Sequence, residues 1–321
     1  MMKTQPPRNA ASAATPELRP QTRQTISWWD RHAHQVAPYL FLLPFFLIYG
    51  IFFLYPVVSS FILSFYKAIG LGSRTFIGID NYVSLASDPR YRQALINTTL
   101  YTLASVFILS PLALVLALMV RSFIVPSPNL KSFYRVIYFL PNLTSFVVIA
   151  LMFALIFNKD FGLLNQALAS LGIPKVGWLR ETTYALPSII LVAIWTFVGL
   201  NSLYFLAGLQ AIPEEINEAA SIDGATRWQT FWRVTIPLLR PTILFVIVQA
   251  VIFSYQLFDL PYLLTAGGPS DATLTIAMYL YVMGFTQFNL GYAAAIGYSL
   301  AVIAIVVSLI QFGLFRLWGE E

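Results

Sequence analysis

No cysteine occurs among the 321 residues. Disulfides, thiolate metal centres and cysteine nucleophiles are therefore excluded, and nothing remains to report a redox compartment. Histidine is nearly absent: His32 and His34 are the only two. With Asp30 alone beside them they offer too few ligands for a closed metal site, and they read as solvated residues. Charge is also scarce. Asp, Glu, Lys and Arg make up 10% of the chain, against about 25% in soluble domains. The phosphate-cradling pattern G-x-x-x-x-G-K-[ST] does not occur, so the chain does not hold ATP through that loop. Nor do paired carboxylates, a metal cluster or a nucleophile beside a base point to catalysis. Glu214, Glu215 and Glu218 lie close in sequence, but in a polar loop without histidine. The expectation is a chain with no catalytic residue, no metal and no cofactor of its own.

What the chain does have is apolar length. Hydrophobic residues are 58% of it. A membrane-crossing helix needs roughly 20 apolar residues, and six stretches qualify, near 38–66, 95–120, 135–157, 185–210, 242–265 and 293–315. The fold class expected is an all-α polytopic membrane protein of about six spans over residues 37–317. Residues 1–36, rich in Pro, Thr, Gln and Ala, are expected to be a disordered tail, ending near Trp28-Trp29, a pair suited to the headgroup region. The first span is longer than a signal-peptide core and far from Met1, so it is expected to be retained. The net charge of +5 is spread over loops, which argues against nucleic-acid binding. With the N-terminus placed inside, twelve of the nineteen Lys and Arg fall on the cytoplasmic side and seven outside. The positive-inside rule favours that orientation, with both termini cytoplasmic.

The polar residues inside the spans are few. Span one carries Pro38, Pro44 and Pro56, which calls for tilt or a break. Span three carries Pro141-Asn142, and span four Gly199 and Asn201. Span five is the most polar, with Gln249, Ser254, Tyr255, Gln256 and Asp259. A central Asp costs about 2.5–3.5 kcal/mol on insertion scales, so these groups are expected to face the bundle interior or a wet cavity. As structural glue each would be worth about 0.6 kcal/mol. As a binding surface they would combine aromatic faces with hydroxyl-binding amides and a carboxylate. Asn201, Tyr204, Gln249 and Asp259 are candidates on that ground. The apolar segment 273–288, after the turn Ala266-Gly267-Gly268-Pro269, reads as a helix in the membrane interface or at a subunit boundary.

One loop between spans is charged and helix-prone. Pro213 precedes Glu214-Glu215, a composition that starts a helix. Ile216, Ala219, Ala220 and Asp223 share one face. Gly224 is suited to ending that helix. A second helix is expected from Thr226 as N-cap to Val234, with Trp228, Phe231 and Trp232 on its apolar side and Pro237 and Pro241 stopping it. Glu218-Ala219-Ala220, then Asp223-Gly224, then Val234-Thr235-Ile236-Pro237 resembles the cytoplasmic loop of importer permeases of the ATP-binding-cassette (ABC) class. Tyr138-Phe139-Leu140-Pro141, Leu155-Ile156-Phe157-Asn158, Leu206-Ala207-Gly208-Leu209-Gln210-Ala211-Ile212-Pro213 and Leu263-Leu264-Thr265-Ala266-Gly267-Gly268-Pro269 are similar to the carbohydrate branch, maltose-type first subunits in particular.

The resemblance covers about residues 38–316 and implies a type I importer permease. Its loop 211–241, through Glu218, Ala219, Ala220, Asp223 and Gly224, would couple to an ATPase subunit present in two copies. ATP and Mg would sit on those subunits. A second permease and an extracytoplasmic sugar-binding protein would complete the assembly in the bacterial inner membrane. A sugar site between spans four and five is implied, carrying over Ser254, Tyr255, Gln256 and Leu257, with Phe197 and Leu200 matching in span four. The alternative transport class is an ion-coupled carrier, which would place ionisable groups at the midplane; only Asp259 is near it.

Overall fold

The computed structural model describes residues 28–70, 72–121 and 128–319, in two units, Met1–Pro56 and Val57–Glu321. Four helices are long and apolar enough to cross a bilayer, and six spans result if each of two sharply bent helix pairs counts as one.

The first unit holds α1 (Trp28–Tyr49), a π turn (Gly50–Leu54) and the start of α2 (Tyr55–Leu63). Residues 28–36, expected in the tail, are helical in α1; residues 1–27 lie outside the described residues. Pro38 and Pro44 sit inside α1 without ending it. The apolar side chains from Tyr39 to Tyr55 are exposed, the condition of a surface that lipid would cover.

The π turn has a local cause. It ends two residues before Pro56, and two more, Ser105–Leu109 and Phe231–Thr235, end two residues before Pro111 and Pro237. A helical proline collides with the carbonyl four residues back. Those carbonyls belong to Phe52, Phe107 and Arg233, each inside its π turn. One wider turn relieves the clash and keeps the helix running.

In the second unit a two-stranded hairpin, β1 (Tyr66–Ala68) and β2 (Arg74–Phe76), follows α2. After α3 (Asp80–Ser87), α4 (Pro89–Ala104) and α5 (Ser110–Arg121) form one 33-residue span through their π turn. Asp88 starts α4 by accepting from the Arg90 and Tyr91 amides, with Pro89 in the first turn. Next, α6 (Pro128–Leu143) and α7 (Phe146–Ile156) meet at a 95° bend just after Pro141. Helix α8 (Leu163–Ser170) lies in the loop to α9 (Thr182–Gln210), which at 29 residues is about 43 Å long. The remaining helices are α10 (Glu214–Ile222), α11 (Arg227–Thr230), α12 (Ile236–Leu238), α13 (Arg240–Tyr255), α14 (Asp259–Thr265), α15 (Ile276–Tyr281) and α16 (Leu290–Gly319).

Helix α9 is packed along α5 and α6. At Gly199 a Cβ would run into the Tyr138 carbonyl of α6, so only glycine permits that approach. Helix α13 joins all three buried clusters. Val246 packs with Leu209 and Ala117, Val251 and Tyr255 with Tyr91 and Tyr279, and Leu257, just beyond its end, with Ile149 and Ile189.

Two expectations are corrected. Span five is not continuous over 242–265: α13 stops at Tyr255 and α14 begins at Asp259. Most of the segment 273–288 is drawn into the bundle as far as residue 284, while residues 285–288 are exposed. Ile276, Met278 and Tyr279 are buried, and α15 packs on α4 and α16. Polar anchors draw it inward. Asn97 donates to the carbonyls of Asp271 (2.8 Å) and Leu274 (2.9 Å), and Thr98 Oγ1 accepts from the Ile276 amide. Arg90 pairs with Asp271 through two 2.8 Å hydrogen bonds. Asp88 accepts from the Tyr279 and Tyr292 hydroxyls. Burial opposes the Asp88 charge, but the two hydroxyls and the Arg90 and Tyr91 amides outweigh it, so its pKa lies below the ordinary carboxylate value.

Candidate functional site

A cavity of about 360 Å³ opens where α13 breaks. It is lined by Tyr101, Ser105 and Leu109 from the α4–α5 span, Phe146 at the start of α7, and Phe197, Leu200, Asn201 and Tyr204 on α9. Gln249, Ala250, Phe253 and Ser254 on α13, Gln256–Phe258 at the break, and Asp259 and Leu260 on α14 complete it. The span-four candidates Asn201 and Tyr204, and the span-five candidates Gln249, Ser254, Gln256 and Asp259, are thus brought together on one wall system.

Tyr255 is not. It is buried with Val251, Leu85 and Tyr91 on the other side of α13. Residues 251 and 255 are one turn apart and share a face, turned away from the face that carries Ser254. Its assignment as a substrate contact is therefore corrected to a packing position. Sequence reading missed Tyr101, Ser105, Phe146, Phe253 and Phe258. The first two belong to the α4–α5 span, whose polar run Asn97, Thr98, Thr99 and Thr102 was a signal left unused, and the aromatics are indistinguishable from lipid-facing residues without the packing.

The break has a cause in hydrogen bonding. Thr275 Oγ1 donates to the Leu257 carbonyl at 2.6 Å, a group that the interrupted helix leaves without its regular partner. Thr275 itself caps α15 through the Met278 amide. The folded segment clasped by Asn97 therefore holds the broken helix from behind. This is how irregular backbone is tolerated at membrane depth, where protein satisfies it.

The cavity's polar groups include open acceptors and one carboxylate. Asn201 Nδ2 donates to the Phe197 carbonyl at 2.9 Å, leaving Oδ1 open. Ser254 donates to the Ala250 carbonyl at 2.6 Å. Gln249 Nε2 lies 3.4 Å from the Tyr204 hydroxyl, and its buried Oε1 has no partner among the described residues. Asp259 and Gln256 are exposed. No Lys, Arg or His lines the cavity among the described residues.

Nine residues of α9 and nine of α13 separate Asn201 and Gln249 from Gln210 and Arg240, about 14 Å of helix on each side. Beyond them lies the charged loop. Pro213 precedes α10, whose first turn holds Glu214 and Glu215. Gly224 has φ of +79°, and the Ala225 amide bonds to the Ala220 carbonyl at 2.9 Å, the C-terminal closure that glycine permits. Thr226 and Gln229 form a reciprocal capping box at the start of α11, as the expected N-cap at Thr226 requires. Glu218, Ala219, Asp223 and Gly224 are exposed and Ala220 partly so. Neither Glu218 nor Asp223 has an ion-pair or hydrogen-bonded side-chain partner among the described residues. Trp228, Phe231 and Trp232 cluster with ring centres 5.0–6.1 Å apart. The chain turns by 66° between α12 and α13, beside Pro237 and Pro241.

An all-helical bundle with a broken span, a central cavity and an exposed two-helix elbow defines a membrane transport subunit. The family comparison agrees and is more specific. Residues 83–317 match the model of the binding-protein-dependent transport system inner membrane component, and the chain belongs to that family. It is 37% identical over 91% of its length to the arabinooligosaccharides transport system permease protein AraP of Bacillus subtilis (strain 168), covering 93% of it. It is 36% identical over 87% of its length to the lactose transport system permease protein LacF of Rhizobium radiobacter, covering 94% of that protein. Among solved structures, a bacterial ABC transporter that imports the acidic polysaccharide alginate matches with a TM-score of 0.79 and 27% identity, covering 90% of this chain and 98% of that one. A bacterial alginate ABC transporter in complex with alginate pentasaccharide-bound periplasmic protein matches with a TM-score of 0.79 and 26% identity, over 91% and 98%. The architecture is that of an ABC importer permease, and the ion-coupled alternative receives no support.

Proposed function

We propose that this chain is the translocation subunit of an ATP-driven importer that carries a sugar or related polyhydroxyl solute into the cytoplasm. The observation that carries the proposal is the exposed helix α10 and its Gly224 turn, whose Glu218 and Asp223 have no partner among the described residues, at one end of the bundle that encloses the cavity. Glu218, Ala219, Ala220, Asp223 and Gly224 would seat in an ATPase subunit, Glu218 accepting charge-assisted hydrogen bonds from a basic surface. Small residues let α10 enter a cleft, and the Gly224 turn lets α10 and α11 move together. ATP and Mg belong on two such ATPase subunits; the permease itself performs no catalysis. A second permease would close the cavity from the other side, and a solute-loaded extracytoplasmic binding protein would deliver the cargo. Both termini would then be cytoplasmic, in keeping with the distribution of Lys and Arg.

Asn201, Tyr204, Gln249, Ser254, Gln256 and Asp259 would bind hydroxyls, and the surrounding Phe and Tyr rings would stack on sugar faces. The relatives named for lactose and arabinooligosaccharides support the sugar class. Proteoliposomes holding the permease pair, the ATPase and the binding protein test it. Uptake with ATP and no ion gradient is expected; uptake that needs the gradient and ignores ATP would end the proposal.

A further inference from the structure

Sugars and sugar-like solutes come both uncharged and as acids, and membership of a sugar-permease family does not choose between them. The cavity does. Two amide oxygens in its wall have no partner among the described residues: Gln249 Oε1, which is buried, and Asn201 Oδ1, while one N–H of Asn201 goes to the Phe197 carbonyl and one of Gln249 toward Tyr204. Ser254 spends its proton on the Ala250 carbonyl. Asp259 adds a carboxylate, exposed and without an ion-pair partner among the described residues. No cationic side chain lines the space among the described residues.

Uncharged polyols bring hydroxyl protons, which such oxygens accept. Carboxylate, sulfonate and phosphate groups bring acceptor oxygens only. In this cavity an anion would meet like charge at Asp259 and unpaired lone pairs at Asn201 and Gln249. It would also leave water with no cation to compensate it. We infer that this chain's part of the solute path admits uncharged polyhydroxylated solutes and excludes anionic ones, with Asp259 as the excluding residue. The inference rests on the reading of the cavity as the solute path and adds the charge class of the cargo.

The absence of native cysteine gives a direct test. Gln256→Cys places a single thiol in the cavity wall of this chain, three residues from Asp259 and within about 11 Å of it along the backbone. In the assembled transporter its reaction with a cationic trimethylammonium thiosulfonate and an anionic sulfonate thiosulfonate is timed, each rate divided by that reagent's rate with a free thiol. The cationic reagent is expected to react at least about tenfold faster. One charge at ~10 Å and an effective dielectric of ~20 exceeds that ratio before screening. Asp259→Asn in the same background should bring the ratio close to one. A ratio near one with Asp259 intact, or faster labelling by the anion, would overturn the inference. Leu200→Cys, on the facing α9, serves the same purpose if the first variant does not assemble. ATP-driven sugar uptake is measured separately in the parent transporter, with Gln256 intact. Its absence for every sugar counts against the proposed function, whereas a flat labelling ratio with normal uptake counts against anion exclusion alone.

Discussion

Gly199→Ala adds one methyl group at the seam between α6 and α9. An ideal Cβ at that position stands 2.5 Å from the Tyr138 carbonyl carbon and 3.1 Å from the Phe139 amide nitrogen, where ordinary contact begins near 3.4 Å. The obstacle is backbone, so no rotamer change relieves it, and the two helices must part by about an ångström. Overpacking of this kind costs about 1–3 kcal/mol. For a bundle of this size that corresponds to a fall in Tm of roughly 2–12 °C. Because Phe197, Leu200, Asn201 and Tyr204 ride on the same helix, sugar uptake should fall further than the amount of assembled complex. Gly208→Ala is the control. There the obstacle is the side chain of Thr242, so Thr242→Ala should recover half or more of the lost Tm, while no single side-chain truncation near Tyr138 should rescue Gly199→Ala. The assay is thermal unfolding of the purified transporter, paired with uptake in proteoliposomes. A Gly199→Ala transporter with Tm within 1 °C of the parent (~1 °C being the expected precision) and full uptake would refute the close-packing argument.

Three further outcomes are expected. Gly224→Pro, at a position with φ of +79° where proline is locked near −65°, should abolish uptake and uncouple ATP hydrolysis while the binding protein still binds its sugar; normal uptake would contradict the elbow's role. Gln256→Leu should reduce uptake with the ATPase still assembled, and an unchanged rate would remove Gln256 from the cavity's working residues. Asp88→Asn should lower Tm at neutral pH, because it removes a charged acceptor shared by Tyr279, Tyr292 and two amides. The folded-state pKa of Asp88 is depressed. Its contribution is therefore present above the unfolded carboxylate pKa, about 3.9, and is lost as pH falls through the folded value. The Tm gap between parent and variant should narrow only in that acid range; a gap that widens there would contradict the assignment.

Much of the architecture was legible because apolar length and proline positions act locally. Pro237 and Pro241 marked the turn into α13, whereas span three, read as one stretch over 135–157, is bent by 95° just after Pro141. Thr226 is the N-cap expected of it, and the structure adds Gln229 as its capping-box partner. The polarity of span five pointed to the cavity wall. Tyr255 was misread because neighbouring helical residues differ by about 100° in direction, and a polar run in sequence is not a polar face. The break at Gln256–Phe258 was not anticipated, although Pro261 stands four residues after Leu257 and has no N–H to offer the Leu257 carbonyl. The break is stabilised by Thr275, eighteen residues away, and by the clasp of Asn97 on Asp271 and Leu274, residues 174 and 177 positions from Asn97. The same long-range bonds explain why 273–279 is largely buried: an apolar, aromatic stretch fits a membrane interface and a bundle core equally well until Asn97 and Thr98 are seen to hold it.

The central claim concerns where force enters the bundle, and a single cysteine at Ala219 tests it most directly. In native membranes, a short thiol-reactive crosslinker on that residue should join this chain to an ATPase subunit, with the yield changing when ATP is bound. Failure to capture an ATPase, together with labelling of Ala219→Cys by an impermeant reagent added outside intact cells, would contradict the account.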